Sequence, residues 1–149
     1  MTISVTTTGF AALEARMQSL SNDIATKIGQ SANRAGAVVI QKKIKEGAPI
    51  GPDAEGSTRN RKRKNGTVVQ EAHTKIVNNI KVRKVKAEAG KAVNAVVVSR
   101  DAYHASMVEF GSIHNAPNPF FRTGFALASE DAVDRVRAIL DRRLTKAGV

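Results

Sequence analysis

The 149-residue chain has no cysteine and no tryptophan, one tyrosine, five phenylalanines and four prolines. Without cysteine there can be no disulfide, no cysteine-ligated zinc and no thiol chemistry. With so few aromatics, the core has to be built from Val, Ile, Leu and Ala. Four of the five phenylalanines (Phe110, Phe120, Phe121 and Phe125) fall within sixteen residues, so bulky packing is concentrated there. No stretch approaches the roughly 20 apolar residues that span a bilayer. The opening MTISVTTTGF has neither the basic start nor the apolar run of a signal peptide. A soluble intracellular protein without membrane contact is therefore expected, and the length suits a single domain over residues 1–149.

Positive charge is abundant and very unevenly placed. Of the net +11, residues 59–91 supply a local +9, eleven Lys or Arg against Glu71 and Glu88, whereas residues 1–58 and 92–149 contribute +1 each. One reading is a polyanion partner, because a dense positive patch gains free energy by releasing counterions from a phosphate backbone. The other is a basic loop that is merely solvated, or that meets acidic protein surface in an assembly. The candidate polyanion contacts are Arg59, Arg61, Lys62, Arg63 and Lys64, followed by Lys81, Arg83, Lys84 and Lys86. The run RNRKRK has no apolar helical stripe to seat it in a groove and no interleaved aromatics for stacking. Any nucleic-acid contact would therefore be to phosphates, not bases.

Apolar periodicity outlines the elements. After a short lead in which Ile3 and Val5 alternate as in a strand, Leu13, Met17, Leu20, Ile24, Ile28, Ala35 and Val39 share one helical face. The spacing predicts a helix over residues 10–45, about 54 Å long if continuous, with Thr8 as its cap and a break hidden near Ser19–Asp23. Its opposite face is polar or small, with Ser21, Asn22, Gln30 and Asn33, and Gly29 and Gly36 weaken it. Pro49, Gly51, Pro52 and Gly56 end it. Residues 51–75 read as a long basic loop or hairpin arm, with Asn65-Gly66 as a two-residue turn. A strand pattern starts at Ile76, with Ile80 and Val82 alternating with Lys81 and Arg83. The run VNAVVVS over residues 93–99 fits an inner strand. Residues 103–110 fit either a third strand or a short helix. Asn118 and Pro119 form a capping pair for a final helix, whose face runs through Phe121, Phe125, Ala128, Ala132, Val136, Ile139 or Leu140, and Leu144.

This is an α+β pattern: a long N-terminal helix, a small antiparallel or mixed sheet with a basic hairpin or loop, and a C-terminal helix. Two amphipathic helices and an incomplete sheet leave apolar surface that one copy struggles to cover, which points to oligomerisation. Catalysis has no visible apparatus. His73, His104 and His114 lack carboxylates at metal-site spacing, Asp101 beside one histidine is commonplace, and there is no nucleophile elbow or phosphate loop. No enzyme activity, metal or cofactor is expected.

The stretch YHASMVEFGSIHNAPNPFFRTGF, residues 103–125, resembles the HK97 gene-product-10-like family of tailed-phage neck, head-tail joining or tail completion proteins. The resemblance rests on Tyr103, Val108, Glu109, Phe110, Gly111, Pro117, Pro119, Phe120, Phe121 and Arg122. It implies a non-catalytic part of the virion, often a hexameric ring, that meets the head connector or stopper and the tail tube or terminator. It also implies synthesis in the host cytoplasm. The chain departs from the family after Ala48-Pro49, where the basic arm replaces a short turn. Within the signature, Gly111 is expected to permit a turn and the two prolines to stiffen the path into the last helix. One of Phe120 and Phe121 would fill the core while the other meets a neighbour or the sheet edge; the plainer alternative puts both in the core. Glu109 and Arg122 are expected to pair within or between subunits, with a solvated Glu109 as the alternative.

Overall fold

A computed structural model describes residues 10–50, 58–72, 74–86, 88 and 91–148. The suggested Ile3/Val5 strand, the Thr8 cap, Gly51, Pro52, Gly56 and His73 lie outside the described residues, as does the side chain of Arg59. Five helices and two hairpins are present among those described: α1 (Ala11–Gln18), α2 (Asn22–Gly47), β1 (Thr58–Lys62), β2 (Val68–Ala72), α3 (Ile76–Asn79), β3 (Ile80–Val85), β4 (Val93–Val98), α4 (Ala105–Phe110) and α5 (Phe120–Lys146). A single 3₁₀ turn, Arg100–Ala102, precedes α4. The fold is α+β, two long helices with a small antiparallel sheet.

The first helix is broken where the serines stand. Ser19 turns its hydroxyl back to donate to the Arg16 carbonyl at 2.7 Å, and Ser21 is extended, with ψ 146°. A side chain that satisfies the last carbonyls and an extended residue before the next turn end one helix and start another. The short α1 then folds against α5, where Arg16 reaches Asp141 at 2.7 Å and Thr145 at 3.2 Å.

Helices α2 and α5 run antiparallel and form the body of the molecule. They come close together at Gly124, where a Cβ would fall 2.7 Å from the Ile44 Cα and 3.0 Å from its N. Gly36 gives the same clearance opposite Ala132 and Val136. This approach shifts the buried face by about one position in the first turns of α5 alone; Ala128, Ala132, Ile139, Leu140 and Leu144 are buried as expected. Phe120, Gly124, Ala128 and Ala132 are buried, while Phe121 and Phe125 are half-buried. Substituting Gly124 by Ala removes a helix-weakening glycine but drives a methyl into backbone that cannot step aside. The expected net loss of stability is about 1–3 kcal/mol, read as a fall in the urea midpoint at unchanged m-value.

The hydrophobic interior has two centres, one at each end of this helix pair. One gathers Ile44, Ala48, Ile76, Ile80, Ala102, Ala105 and Phe120; the other gathers Leu13, Ile28, Ala32, Ile139, Leu140 and Leu144. The β3–β4 hairpin lies on α2, with Ile80 opposite Val98 and Val85 opposite Val93. Here the polar face of α2 acquires a purpose that its sequence does not show. Gln41 donates to the Ile80 carbonyl at 2.7 Å, Gln30 to the Asn94 side chain at 2.8 Å, and Asn33 to the Ala92 carbonyl.

Three expectations need correction. Ile76 opens a helical turn, not a strand, because Ile76 is drawn into the core and Asn79, also buried, donates to the Lys75 carbonyl at 2.9 Å. Strand β4 is not an inner strand among the described residues, for β3 is its sole partner there and residues 94–98 are only half-buried. The basic arm is a hairpin, as its turn signal suggested, but the loop has three residues. Arg63 N–H donates to the Thr67 carbonyl at 2.8 Å and Gly66 N–H to the Arg63 carbonyl at 3.0 Å. Gly66 alone has positive φ, 83°, whereas a two-residue type I′ turn needs Asn65 there as well.

Candidate assembly surface

Residues 100–122 form a tight corner between the sheet and α5. Residues 103–110 resolve in favour of helix: the 3₁₀ turn leads into α4, whose Ala105 is buried and whose Val108 packs on the first core. Gly111 then ends α4 at φ 84° and ψ 170°, a conformation that is essentially restricted to glycine. The loop returns through paired hydrogen bonds between Ser112 and Asn115, and Asn118 N–H donates to the Val108 carbonyl at 2.8 Å. Pro117 and Pro119 are exposed along this route.

Asn118 does not cap α5; Pro119 occupies that position without a side-chain hydrogen bond. The cap comes from Glu109, on another helix. Its carboxylate accepts the Phe121 N–H at 2.8 Å, the Arg122 N–H at 3.2 Å and the Arg122 Nε–H at 2.9 Å. Glu109 is only 5 % exposed. A buried carboxylate at a helix N-terminus is matched there by the unpaired N–H groups and the helix dipole. The expected Glu109–Arg122 pair thus forms within one chain, and capping is its larger task. No sequence signal marked it, for Glu109 stands eleven residues before α5 and Asn118 already offered the chemistry of a cap.

The remaining signature residues divide between interior and surface. Phe120 is buried and meets the half-buried Phe121 edge to face at 6.5 Å. On the outside, Tyr103, Met107 and Phe110 recur along the corner at helical spacing, all more than half exposed, and Ile113 follows at 94 % exposure. The Arg122 guanidinium sits 5.1 Å from the centroid of the Phe110 ring, which holds that exposed ring in place.

The basic hairpin leans on the same corner. Arg61 lies 3.9 Å from the Asp101 carboxylate, and the Thr74 hydroxyl donates to the Asp101 carbonyl at 3.3 Å. Asp101, which the sequence leaves without a role, is thus a contact of the arm, a half-exposed pair that contributes about 1 kcal/mol or less. Lys62, Arg63 and Lys64 are exposed at the hairpin end, and Lys81, Arg83, Lys84 and Lys86, all exposed, lie on and just beyond β3. Among the described residues no group of histidines and carboxylates is arranged to hold a metal. No described helix is long and apolar enough to cross a membrane.

The corner displays aromatic and aliphatic side chains next to a charged arm and is the candidate contact surface. The chain belongs to the HK97-gp10-like family of bacteriophage tail components, whose pattern matches residues 11–111. It is accordingly a structural phage protein and not an enzyme. The match runs through the basic hairpin and ends at Gly111, so Pro117–Arg122 and α5 lie beyond it. No curated protein and no solved structure gave a match.

Proposed function

We propose that the protein is a ring-forming component of the phage neck or tail terminus, joining tail to head around the passage for DNA. The observation that carries this reading is the exposed row Tyr103, Met107, Phe110 and Ile113 on a corner locked by Glu109. Large apolar side chains gathered on a fixed surface mark a protein contact. When such a patch meets a different patch on the next copy, the contact repeats and closes into a ring if the rotation allows. Six copies is the favoured number, with the head connector or stopper on one side and the tail tube or terminator on the other. The protein would act in the virion after assembly in the host cytoplasm. The signature residues Tyr103, Val108, Glu109, Phe110, Gly111, Pro117, Pro119, Phe120, Phe121 and Arg122 would set the subunit geometry. Mass spectrometry of purified particles should find the protein in multiple copies per virion, and its absence from virions would end the proposal.

A second reading, a small basic protein that binds nucleic-acid phosphates without base specificity, is favoured by the exposed basic residues of the hairpin and β3. Both readings can share the arm, which in a ring would face either DNA or an acidic neighbour. Replacing Lys62, Arg63 and Lys64 by Glu should then weaken duplex DNA binding equally for all sequences. The slope of log K against log salt should become shallower by about 0.9 for each phosphate that the variant no longer neutralises. An unchanged slope would assign the arm to a protein partner.

A further inference from the structure

The β3–β4 hairpin has one face on α2 and one turned away from it. Val96 and Val98 pack on the first core, and Asn94 bonds Gln30 of α2. Opposed residues of an antiparallel pair share a face, so Val82, Ile80 and Lys84, their partners, belong to the same inner side. Side chains alternate along a strand, which leaves Lys81, Arg83 and Val85 of β3 on the outer side with Val97, Ala95 and Val93 of β4. There Lys81, Arg83, Val85 and Val93 are exposed. Along β3 the outer face reads cation, cation, valine, over about 13 Å at 3.3 Å per residue.

Helix α5 presents the complementary order. Leu127, Glu130, Asp131 and Asp134 stand at i, i+3, i+4 and i+7, one stripe along the helix. All four are exposed, Leu127 by 64 %. Asp134 lies 3.7 Å from Arg137. Among the described residues Glu130 and Asp131 have no ion partner, and Lys81 and Arg83 have none either. Followed from Asp134 back to Leu127, the stripe reads acid, two acids, leucine, over about 10 Å at 1.5 Å per residue.

We propose that α5 of one copy lies across the outer face of the β3–β4 hairpin of the next, antiparallel to β3, an inference that rests on the ring-forming reading. Asp134 then meets Lys81, Glu130 and Asp131 meet Arg83, and Leu127 enters between Val85 and Val93, which stand opposite each other. Laid the other way, the helix would set Leu127 against Lys81 and Asp134 against the two valines, so charge and apolarity together select one orientation.

The occupant is a second copy of this chain. Helix α5 and the inner face of the hairpin both pack on α2, so the outer face points away from the chain's own α5 and only a neighbour's α5 can reach it. The contact joins two different surfaces, so each copy uses one toward each neighbour and the contact passes on from copy to copy. A nucleic acid would neutralise Lys81 and Arg83 but would find no use for the valines beside them, and would leave the acids of α5 unmatched.

Charge reversal with mixing tests the contact. One variant carries Lys81→Glu and Arg83→Glu, the other Glu130→Lys and Asp131→Lys, all at exposed positions, so their thermal melts should match the wild type. Sedimentation velocity at low salt should show the wild-type protein self-associating and each variant doing so about 100-fold more weakly, because like charges then face each other. An equimolar mixture should recover wild-type association, since the reversed sheet of one variant fits the reversed helix of the other and their unaltered surfaces fit as before. A single chain carrying all four substitutions should recover it too. Wild-type protein that stays monomeric, variants that associate as well as the wild type, or a mixture without recovery each overturn the proposal. Loss of duplex DNA binding in the Lys81→Glu, Arg83→Glu variant with self-association unchanged also overturns it and assigns the outer face to phosphates. The ring reading has a separate readout: many copies per virion together with a mixture that does not recover would remove this contact and leave the ring.

Discussion

Phe120→Ala is expected to lower stability by about 3–5 kcal/mol, the usual cost of emptying a buried phenylalanine site. The ring is 3 % exposed and sits among Ile44, Ala48, Ile76, Ile80, Ala102 and Ala105. It therefore joins α2, α3, β3 and α4 at one point, and the hole left behind has walls on four elements that cannot all collapse into it. A small domain has about 5–15 kcal/mol of total stability, so the variant should be marginal at about 37 °C, where the margin is already thinner than at its maximum. Phe121→Ala, at a half-buried site, should cost distinctly less. Equilibrium urea unfolding of the two variants checks both. Equal losses would mean that the two rings share the core evenly, contrary to their burial.

Glu109→Ala should cost about 2–4 kcal/mol, from the lost helix cap together with part-buried, charge-assisted hydrogen bonds to two backbone N–H groups. Two backbone donors at the start of α5 would lose their acceptor, and Asn118 and Pro119 have nothing to offer in its place. Arg122→Ala provides the contrast. Its side chain is 61 % exposed, so solvent screens the ion pair and the loss should be about 1 kcal/mol or less. If the ion pair were the main contribution, the two variants would fall together. The comparison separates capping from pairing, and thermal melts of the two proteins suffice to make it. The Glu109 variant should also lose assembly before it loses fold, because Glu109 ties α4, which carries Met107 and Phe110, to the start of α5.

Much of the architecture was legible because it rests on local signals. The break near Ser19, the stop before Pro49, the hairpin around Asn65-Gly66 and the start of α5 near Pro119 all follow from serine, proline and glycine acting on their own backbone. The difficulties arose where a residue's role depends on something far away in sequence. Asn118 has the chemistry of a cap, yet Glu109 does the capping, since α4 delivers a carboxylate that binds two N–H groups at once. Phe121 and Phe125 continue an apolar period, yet Phe120 and Gly124 are buried, since the approach of Ile44 sets the rotation of α5. Gln30 and Asn33 read only as part of a polar helix face until the start of β4 arrives on it.

Composition and periodicity alone were enough for the α+β class, the aliphatic core, the isolated basic arm and the absence of cysteine chemistry, because each depends on residue type and spacing along the chain. Which carboxylate meets which helix end, which glycine lets two helices touch and which aromatics remain outside were decided by the packing of α2 against α5. Those outcomes turn on distances of a few ångströms between residues far apart in the chain, such as Gly36 and Val136. Contacts of that kind are specified jointly by both partners and by the backbone between them, so neither partner's local sequence carries them.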